Sequence, residues 1–444
     1  MRRTFAVLAG LLSLSSALGA QGLRTKIGDL FIFGSGTDPL FLAGSADPSN
    51  PASIQAHGDH FVPSAVAANG SLISFLTTSI SLNVANAPIG STSGGESFRF
   101  EAGVPVRTST SAGPIFAERG QTLGQGRTVF GIGQTQQHMT SLRGVPLDNI
   151  QLIFTHQNVD FAGCDSIYGA SCKLMGVPSL ENDIMQFALN LDLNVQVTSI
   201  YATYGLTDFL DVGVVVPIVN TTLHGESNAN IIPFGGTTAA HFFAGTPSNP
   251  VLSATRTVDG SAWGLGDVAV RTKLSIHQSD RTNVAILGEA RFATGDEENL
   301  LGSGQFGARG LAVVSARFGD FSAHGNAGYA YRGGGQQNDA VLVTGGFDHA
   351  MSPRVTMAAD VIGELQVGRS KLTLPGPVQY DVPFKRTINP TTIPDIADDV
   401  MNGSFGFKFL PGNGFTVITN VLVPLNRGGL RSAIAYTVGA EFAF

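Results

Sequence analysis

The segment Arg431 to Phe444 constrains the fold more than any other. Ile434, Tyr436, Val438, Ala440, Phe442 and Phe444 fall on one face, and Ala435, Thr437, Gly439 and Glu441 on the other. Successive side chains leave opposite faces of a strand, so this is a strand that meets an apolar medium on one side and water or a polar lumen on the other. A single such strand occurs in soluble sheets too. The assignment therefore depends on how often the pattern recurs and on whether the chain is exported.

Both conditions are met. Met1 to Ala20 reads as a secretory signal, with Arg2 and Arg3 as its basic start, Phe5 to Leu14 as its apolar core and Ala17, Gly19 and Ala20 as the small residues for cleavage. Beyond it no run of about eighteen uninterrupted apolar residues occurs, which argues against helical spans. A transmembrane barrel reconciles export with a mildly hydrophobic chain that is only 13% charged, because half of each strand is apolar and half is not. The ending on Phe444 resembles that of bacterial outer-membrane β-barrels, and it implies the outer-membrane assembly machinery as a partner of the last strand. The acidic balance, with no Lys/Arg cluster, argues against nucleic acid or anionic lipid as the main partner.

The clearest repeat is Met185 to Val197, where Met185, Phe187, Leu189, Leu191, Leu193, Val195 and Val197 alternate with polar or small residues. The phase then shifts, because Ile200, Ala202, Tyr204 and Leu206 continue the apolar face; a β-bulge near Thr198 or Ser199 would produce the shift. Strands follow over 210–223, 263–277, 283–294, 309–318, 321–332, 339–349, 355–367, 401–409 and 415–425, before the last one. Short turns alternate with long loops, the asymmetry of outer-membrane barrels with their short ends in the periplasm. With 127–138 as the first strand, the reading is an all-β, transmembrane, antiparallel up-and-down β-barrel of twelve strands over residues 127–444. Fourteen is the alternative if 150–156 or 97–106 joins the wall.

Residues 21–126 do not fit a wall. Phe61, Ala65, Leu72, Leu76 and Ile80 lie near helical spacing behind Pro63, and Phe98, Phe100, Ala102 and Val104 alternate. A plug folded into or beneath the lumen is preferred to a separate soluble domain. Cys164 and Cys172, close together in an exported chain, read first as a local disulfide that staples a loop, with free thiols or a metal pair as alternatives.

Placing the apolar face of each strand outward sends the charged strand residues inward: Asp267, Arg271, Lys273, Glu289, Arg291, Arg317, His324, Asp360, Glu364, Lys408 and Glu441. A symmetric 278–282 turn puts Arg271 opposite Glu289, and the Gly319-Asp320 hairpin puts Ser315 opposite His324 and Phe318 opposite Phe321 at the periplasmic rim. These charges form either a polar constriction along a solute path or ion pairs that fill a narrow barrel, and both readings stay open. In this register Leu191 and Val270 face lipid, while Asn190 and Ala269 face the lumen.

Four stretches, Gly113-Pro114-Ile115-Phe116-Ala117-Glu118-Arg119, Tyr204 to Gly213, Gly264 to Val268 and Thr294 to Gly302, resemble a family of outer-membrane transporters named for the meta pathway of phenol degradation, related in architecture to the long-chain fatty-acid channel. The resemblance implies passive uptake of small hydrophobic or aromatic solutes through the outer membrane, without a cofactor and without a residue-level binding motif. An enzyme in the wall is the rival class, and it would need His324 to act on Ser315 with no acidic third member placed. A structural or adhesive barrel ranks above it. The acidic run Asp296, Glu297, Glu298 and Asn299 matches no calcium loop and reads as a solvated turn, and Gly333-Gly334-Gly335 lacks the Lys-Ser/Thr of a phosphate loop.

Overall fold

The computed structural model describes residues 22–31, 33, 63–85, 98–101, 104–107, 111–155, 183–233, 243–246, 248–380, 385–412 and 414–444. Residues 1–20, expected to be a signal segment, and both cysteines, Cys164 and Cys172, expected to form a disulfide, lie outside the described residues.

Among these residues the structure is a closed antiparallel barrel of twelve strands. They are β1 (Thr128–Leu142), β2 (Ile184–Thr207), β3 (Leu210–Ile232), β4 (Ala269–Gln278), β5 (Thr282–Arg291), β6 (Gly307–Phe318), β7 (Phe321–Arg332), β8 (Ala340–Ser352), β9 (Val355–Gln366), β10 (Val400–Gly412), β11 (Phe415–Pro424) and β12 (Leu430–Ala443). Each pairs with its sequence neighbours, and β12 closes the wall on β1 from Leu430↔Leu142 to Ala443↔Val129. Closure removes every edge, which is what lets a sheet stand in lipid. Neither alternative for fourteen strands enters the wall: Phe98–Glu101 pairs with Val104–Arg107 alone, and Ile150–Thr155 pairs with the outer end of β2 above the barrel.

The expected register holds around most of the wall. Arg271 faces Glu289, Ser315 faces His324 and Phe318 faces Phe321. On the last strand Tyr436, Val438, Phe442 and Phe444 are exposed, while Ala435, Thr437 and Glu441 are buried inside. Val270 is exposed and Ala269 buried, as expected. On β3 the outward residues Leu210, Val212, Val214, Val216 and Ile218 form an apolar run. At about 3.3 Å per residue and a tilt near 40° that run covers roughly 20 Å, close to the ~25 Å apolar band of membrane barrels. Phe209, Phe318, Phe321 and Phe444 are exposed at its turn end, and Trp263, 71% exposed and paired with Asn220, marks its loop end. This is the architecture of an outer-membrane β-barrel, aromatic belts included.

The outward assignment of Met185 to Val197 is wrong, and the cause is the medium rather than the backbone. Leu189, Leu191, Leu193 and Val195 are buried and point inward. No bulge occurs at Thr198 or Ser199, because β2 pairs with β3 without a break from Ile184↔Ile232 to Gly205↔Asp211. Both strands continue beyond the lipid. There β3 also pairs with the strand Ser253–Leu265, and β2 with Ile150–Thr155, so a four-stranded sheet rises above the barrel on one side. Its outer face meets water and carries Asn190, Asp192 and Asn194, with His224 and Glu226 on the neighbouring strand. Its inner face is covered by two helices, α1 (Leu23–Asp29) and α2 (Pro63–Ala85). Leu23 and Ile27 from the first, Leu30 and Phe31 from the turn that follows it, and Leu72, Phe75, Leu76 and Ile80 from the second join Phe187, Leu189 and Leu191 in one core. The change of phase near residue 198 is therefore the membrane boundary: outside it the apolar face is the inner one, and inside it the outer one.

The expected strand over 263–277 is likewise two pieces, Ser253–Leu265 and β4, separated at Gly266–Val268. Asp267 accounts for the break, since it accepts hydrogen bonds from the Gly295 N–H at 3.0 Å, the Ser303 N–H at 2.8 Å and the Ser303 hydroxyl at 2.6 Å. The acidic turn beside it is not simply solvated. Glu297 pairs with Arg24, and the Arg24 N–H donates to the Glu298 carbonyl, so this turn clasps α1. No helix among the described residues is long and apolar enough to cross a membrane.

Candidate functional site

The lumen is crossed by an extended strap, Ser111 to Gly126, which leads into β1. Ser111, Ala112, Ile115, Ala117, Glu118, Arg119, Thr122 and Leu123 on it are buried. A buried segment without regular structure must satisfy its backbone from the wall, and this one does. The Ala112 N–H donates to the Thr356 hydroxyl, the Glu118 N–H to Asn326 Oδ1 at 2.8 Å, the Gly120 N–H to the Ser315 hydroxyl and the Leu123 N–H to the Asp211 carboxylate. The Thr122 hydroxyl reaches the Asp208 carbonyl at 2.6 Å, at the short turn between β2 and β3. The strap thus runs from the wall at β9 to the wall at β3, near the periplasmic end.

Two adjacent strap residues engage opposite charges. Glu118 lies 3.9 Å from Arg271 and 3.6 Å from Lys273, both on β4. Arg119 pairs with Asp348 on β8 at 2.8 Å, and Ser111 bonds the same carboxylate. The lumen wall is polarised accordingly. On β4 to β6, Arg271, Arg291 and Arg309 converge on one carboxylate, Glu289, with Arg309 at 2.8 Å and Arg291 at 3.6 Å. On β7 to β9, His324 stands between Asp360 at 2.5 Å and Asp348 at 3.4 Å. A third group joins β10 and β12: Lys408 donates to the Ala112 carbonyl at 3.3 Å and lies 3.8 Å from Glu441, which accepts the Tyr201 hydroxyl at 2.7 Å.

Two cavities follow along the barrel axis above the strap. The lower, of about 210 Å³, is bounded by Phe116 and Glu118 of the strap and by Arg271, Glu289, Arg291 and Arg309, with Leu311 beside Arg309 on β6 and Leu342 and Ile362 on β8 and β9. The upper, of about 110 Å³, is lined by Leu82 and Asn83 of α2, Gln137, Asn338 and Arg431. Arg332, Glu364, Val400 and Asn402 border both, and Arg332 pairs with Glu364 at the divide.

Of the expected interior residues, Arg271, Lys273, Glu289, His324, Asp360, Lys408 and Glu441 are buried in the lumen, and Arg291, Arg317 and Glu364 are half-buried there. Asp267 sits instead at the strand break and caps the 292–306 loop. Arg309, Asp348 and Asp211 belong to the same network but were not in the expected set. Period two alone reaches them, since Arg309 shares the parity of Arg317, Asp348 that of Leu342 and Asp211 that of Gly213. Ser315 and His324 are cross-strand neighbours, yet no nucleophile-to-base contact links them. Ser315 accepts from Gly120 and bonds Gln121, while the ring of His324 is held by two aspartates.

No family model matches this chain, and no curated protein sequence matches it. Solved structures with a related barrel include an outer-membrane channel from Pseudomonas putida F1, with 11% identity over 73% of this chain and 97% of that one and a TM-score of 0.39. They also include a deletion mutant of the TodX monoaromatic hydrocarbon channel, with 11% identity over 73% and 92% and a TM-score of 0.33. The translocator domain of the autotransporter NalP from Neisseria meningitidis shows 11% identity over 72% and 89%, with a TM-score of 0.27. At these identities and scores none bears on what this barrel carries.

Proposed function

We propose that this barrel passes small hydrophobic or aromatic solutes passively across the outer membrane, and that the N-terminal region, residues 21–126, regulates the path. The observation that carries this reading is the two stacked cavities between a strap at one end and docked helices at the other. A barrel that served only as a scaffold would gain nothing from interior space. The apolar lining by Phe116, Leu311, Leu342 and Ile362 favours a hydrophobic solute over a sugar. The likeness of the strap sequence, Gly113 to Arg119, to the transporter family named for the meta pathway of phenol degradation supports the same solute class.

The strap is the proposed gate, because Glu118 and Arg119 tie it to opposite walls. Removing one partner of a buried pair leaves the other uncompensated, which costs about 3–5 kcal/mol and loosens the closed state. The test compares intact cells producing wild-type protein, the Glu118→Gln/Arg119→Gln variant or no protein, with toluene and glucose as solutes. Toluene uptake should rise with wild-type protein and rise further in the variant, with little change for glucose. Equal gains for both solutes would indicate a general pore, and no gain for either would indicate a structural or adhesive barrel.

A further inference from the structure

The lower cavity joins a cluster of arginines to the apolar side chains of Phe116, Leu311, Leu342 and Ile362, with the Arg332–Glu364 pair at its upper border, and we infer that it is a binding site for a single-ring solute bearing a fixed anionic group, carboxylate or sulfonate. This inference rests on the channel reading for its purpose but not for its chemistry. Arg271, Arg291 and Arg309 lie on three consecutive strands and share Glu289. Together with Lys273 and Glu118, the described residues of this cluster comprise four cations and two carboxylates. Arg271 and Glu289 are almost fully enclosed, with side chains 4% and 2% exposed. Arg291 and Arg309 keep 19% and 29% of their side chains accessible, and both line the cavity. Glu289 thus serves as the fixed counter-ion that holds the cluster, while the outer two guanidiniums present planar donors toward the space. Guanidinium forks match carboxylate and sulfonate geometry, and in a site shielded from bulk water that match is worth more than at a surface.

Size selects the rest of the solute. An apolar cavity of about 150 Å³ holds one benzene ring, so 210 Å³ accommodates one ring and a small charged group but not an extended acyl chain. Phe116 on the strap, Leu342 and Ile362 on β8 and β9, and Leu311 beside Arg309 supply the ring's surroundings. A cationic ring would be repelled by the three guanidiniums and a neutral ring would gain nothing from them, while a sugar would leave the apolar side chains against polar groups.

The test uses two permanently charged isosteres, benzenesulfonate and phenyltrimethylammonium, neither of which crosses a bilayer in neutral form. Calorimetric binding to the refolded full mature chain reads the site, and uptake into proteoliposomes reads the channel. Benzenesulfonate should bind at least tenfold more tightly than the ammonium ion. Its affinity should fall about tenfold in Arg309→Gln and return only in part in Arg309→Lys, which keeps the charge but not the fork. Equal binding of the two isosteres by wild-type protein, a measurement that needs no variant to fold, overturns the inference. Selective binding without uptake upholds the site and refutes the channel, whereas uptake of both ions without selectivity upholds the channel and refutes the site.

Discussion

The reversal of faces along β2 and β3 can be tested with three arginine substitutions. Val214 lies midway along the outward run from Leu210 to Ile218 and is 38% exposed. Four residue steps on either side at ~3.3 Å each, tilted by about 40°, place it some 10 Å from either end of that run, close to the bilayer midplane. Val214→Arg should therefore cost about 2–4 kcal/mol. Asn190 also points outward, but it sits opposite Glu226 beyond the lipid. Asn190→Arg meets water and a carboxylate, so its cost should lie within about 0.5 kcal/mol of zero. Leu191, one residue further on, is buried against the helices, and Leu191→Arg should be at least as damaging as Val214→Arg because it places a charge in an apolar core. The assay is urea unfolding from bilayers followed by fluorescence of Trp263, the only tryptophan in the chain. If Val214→Arg were tolerated as well as Asn190→Arg, the boundary would be misplaced. Tolerance of Leu191→Arg together with a large loss at Asn190→Arg would place Asn190 against lipid and Leu191 in a polar lumen, and would refute the extension above the membrane.

Two further outcomes are expected. On β1, a Cβ on Gly131 would stand 2.3 Å from Cζ of Tyr201, whose ring lies across that glycine and whose hydroxyl bonds Glu441; Gly131→Ala should therefore cost about 1–3 kcal/mol in the same unfolding assay, with Tyr201→Ala recovering part of the loss in the double variant. In the loop between β7 and β8, the Arg332 N–H and then the Tyr329 hydroxyl donate to Asp339 and hold its carboxyl below the usual carboxylate value. Because the folded pKa is the lower one, this contribution is complete above the unfolded value near pH 4 and is lost as pH falls through the folded value. Hydrogen exchange at the Arg332 amide, corrected for intrinsic rate, should thus gain an acid-dependent opening that Asp339→Asn, which retains the acceptor, does not show.

The wall was legible because lipid on one side and a polar lumen on the other impose period two on every strand, and tight turns fix the register. Phe321–Arg332 begins and ends where its alternation and flanking turns place it; Arg271 meets Glu289 as expected, although the hairpin closes at Gln278↔Asn283 and a bulge between Ser275 and His277 shifts the register by one residue. Where the surroundings change along a strand, the same rule inverts. The side chains of Met185 to Val197 report a face covered by protein, and nothing within the strand tells protein from lipid; the outward Asn190, Asp192 and Asn194 were the available sign of water. The break at Gly266–Val268 was hidden for a related reason, since Asp267 fits the inward parity while its partners, Gly295 and Ser303, are supplied by a distant loop. The strap was seen as a likeness in sequence, not as a crossing, because the hydrogen bonds that anchor it to the wall run to residues far away in the chain.

The two closures of the lumen differ in kind, and that difference gives the proposed path its order. Above, α1 and α2 cover the sheet with aliphatic and aromatic side chains, each worth about 1.5–3 kcal/mol when fully buried. A hydrophobic solute offers those side chains the same apolar contact they make with one another, so it can enter among them with little net loss. Below, the strap is held by charges and backbone hydrogen bonds, for which an apolar ring is no substitute. A ring alone would stop in the lower cavity. A ring with an anionic group can compete with the Glu118 carboxylate for Arg271 and Lys273, and so acts on the ion pairs that help tie this side of the strap to the cationic wall. On this reading the acidic group serves both to hold the solute and to release the strap, and the outer closure selects for hydrophobicity before charge is ever sensed.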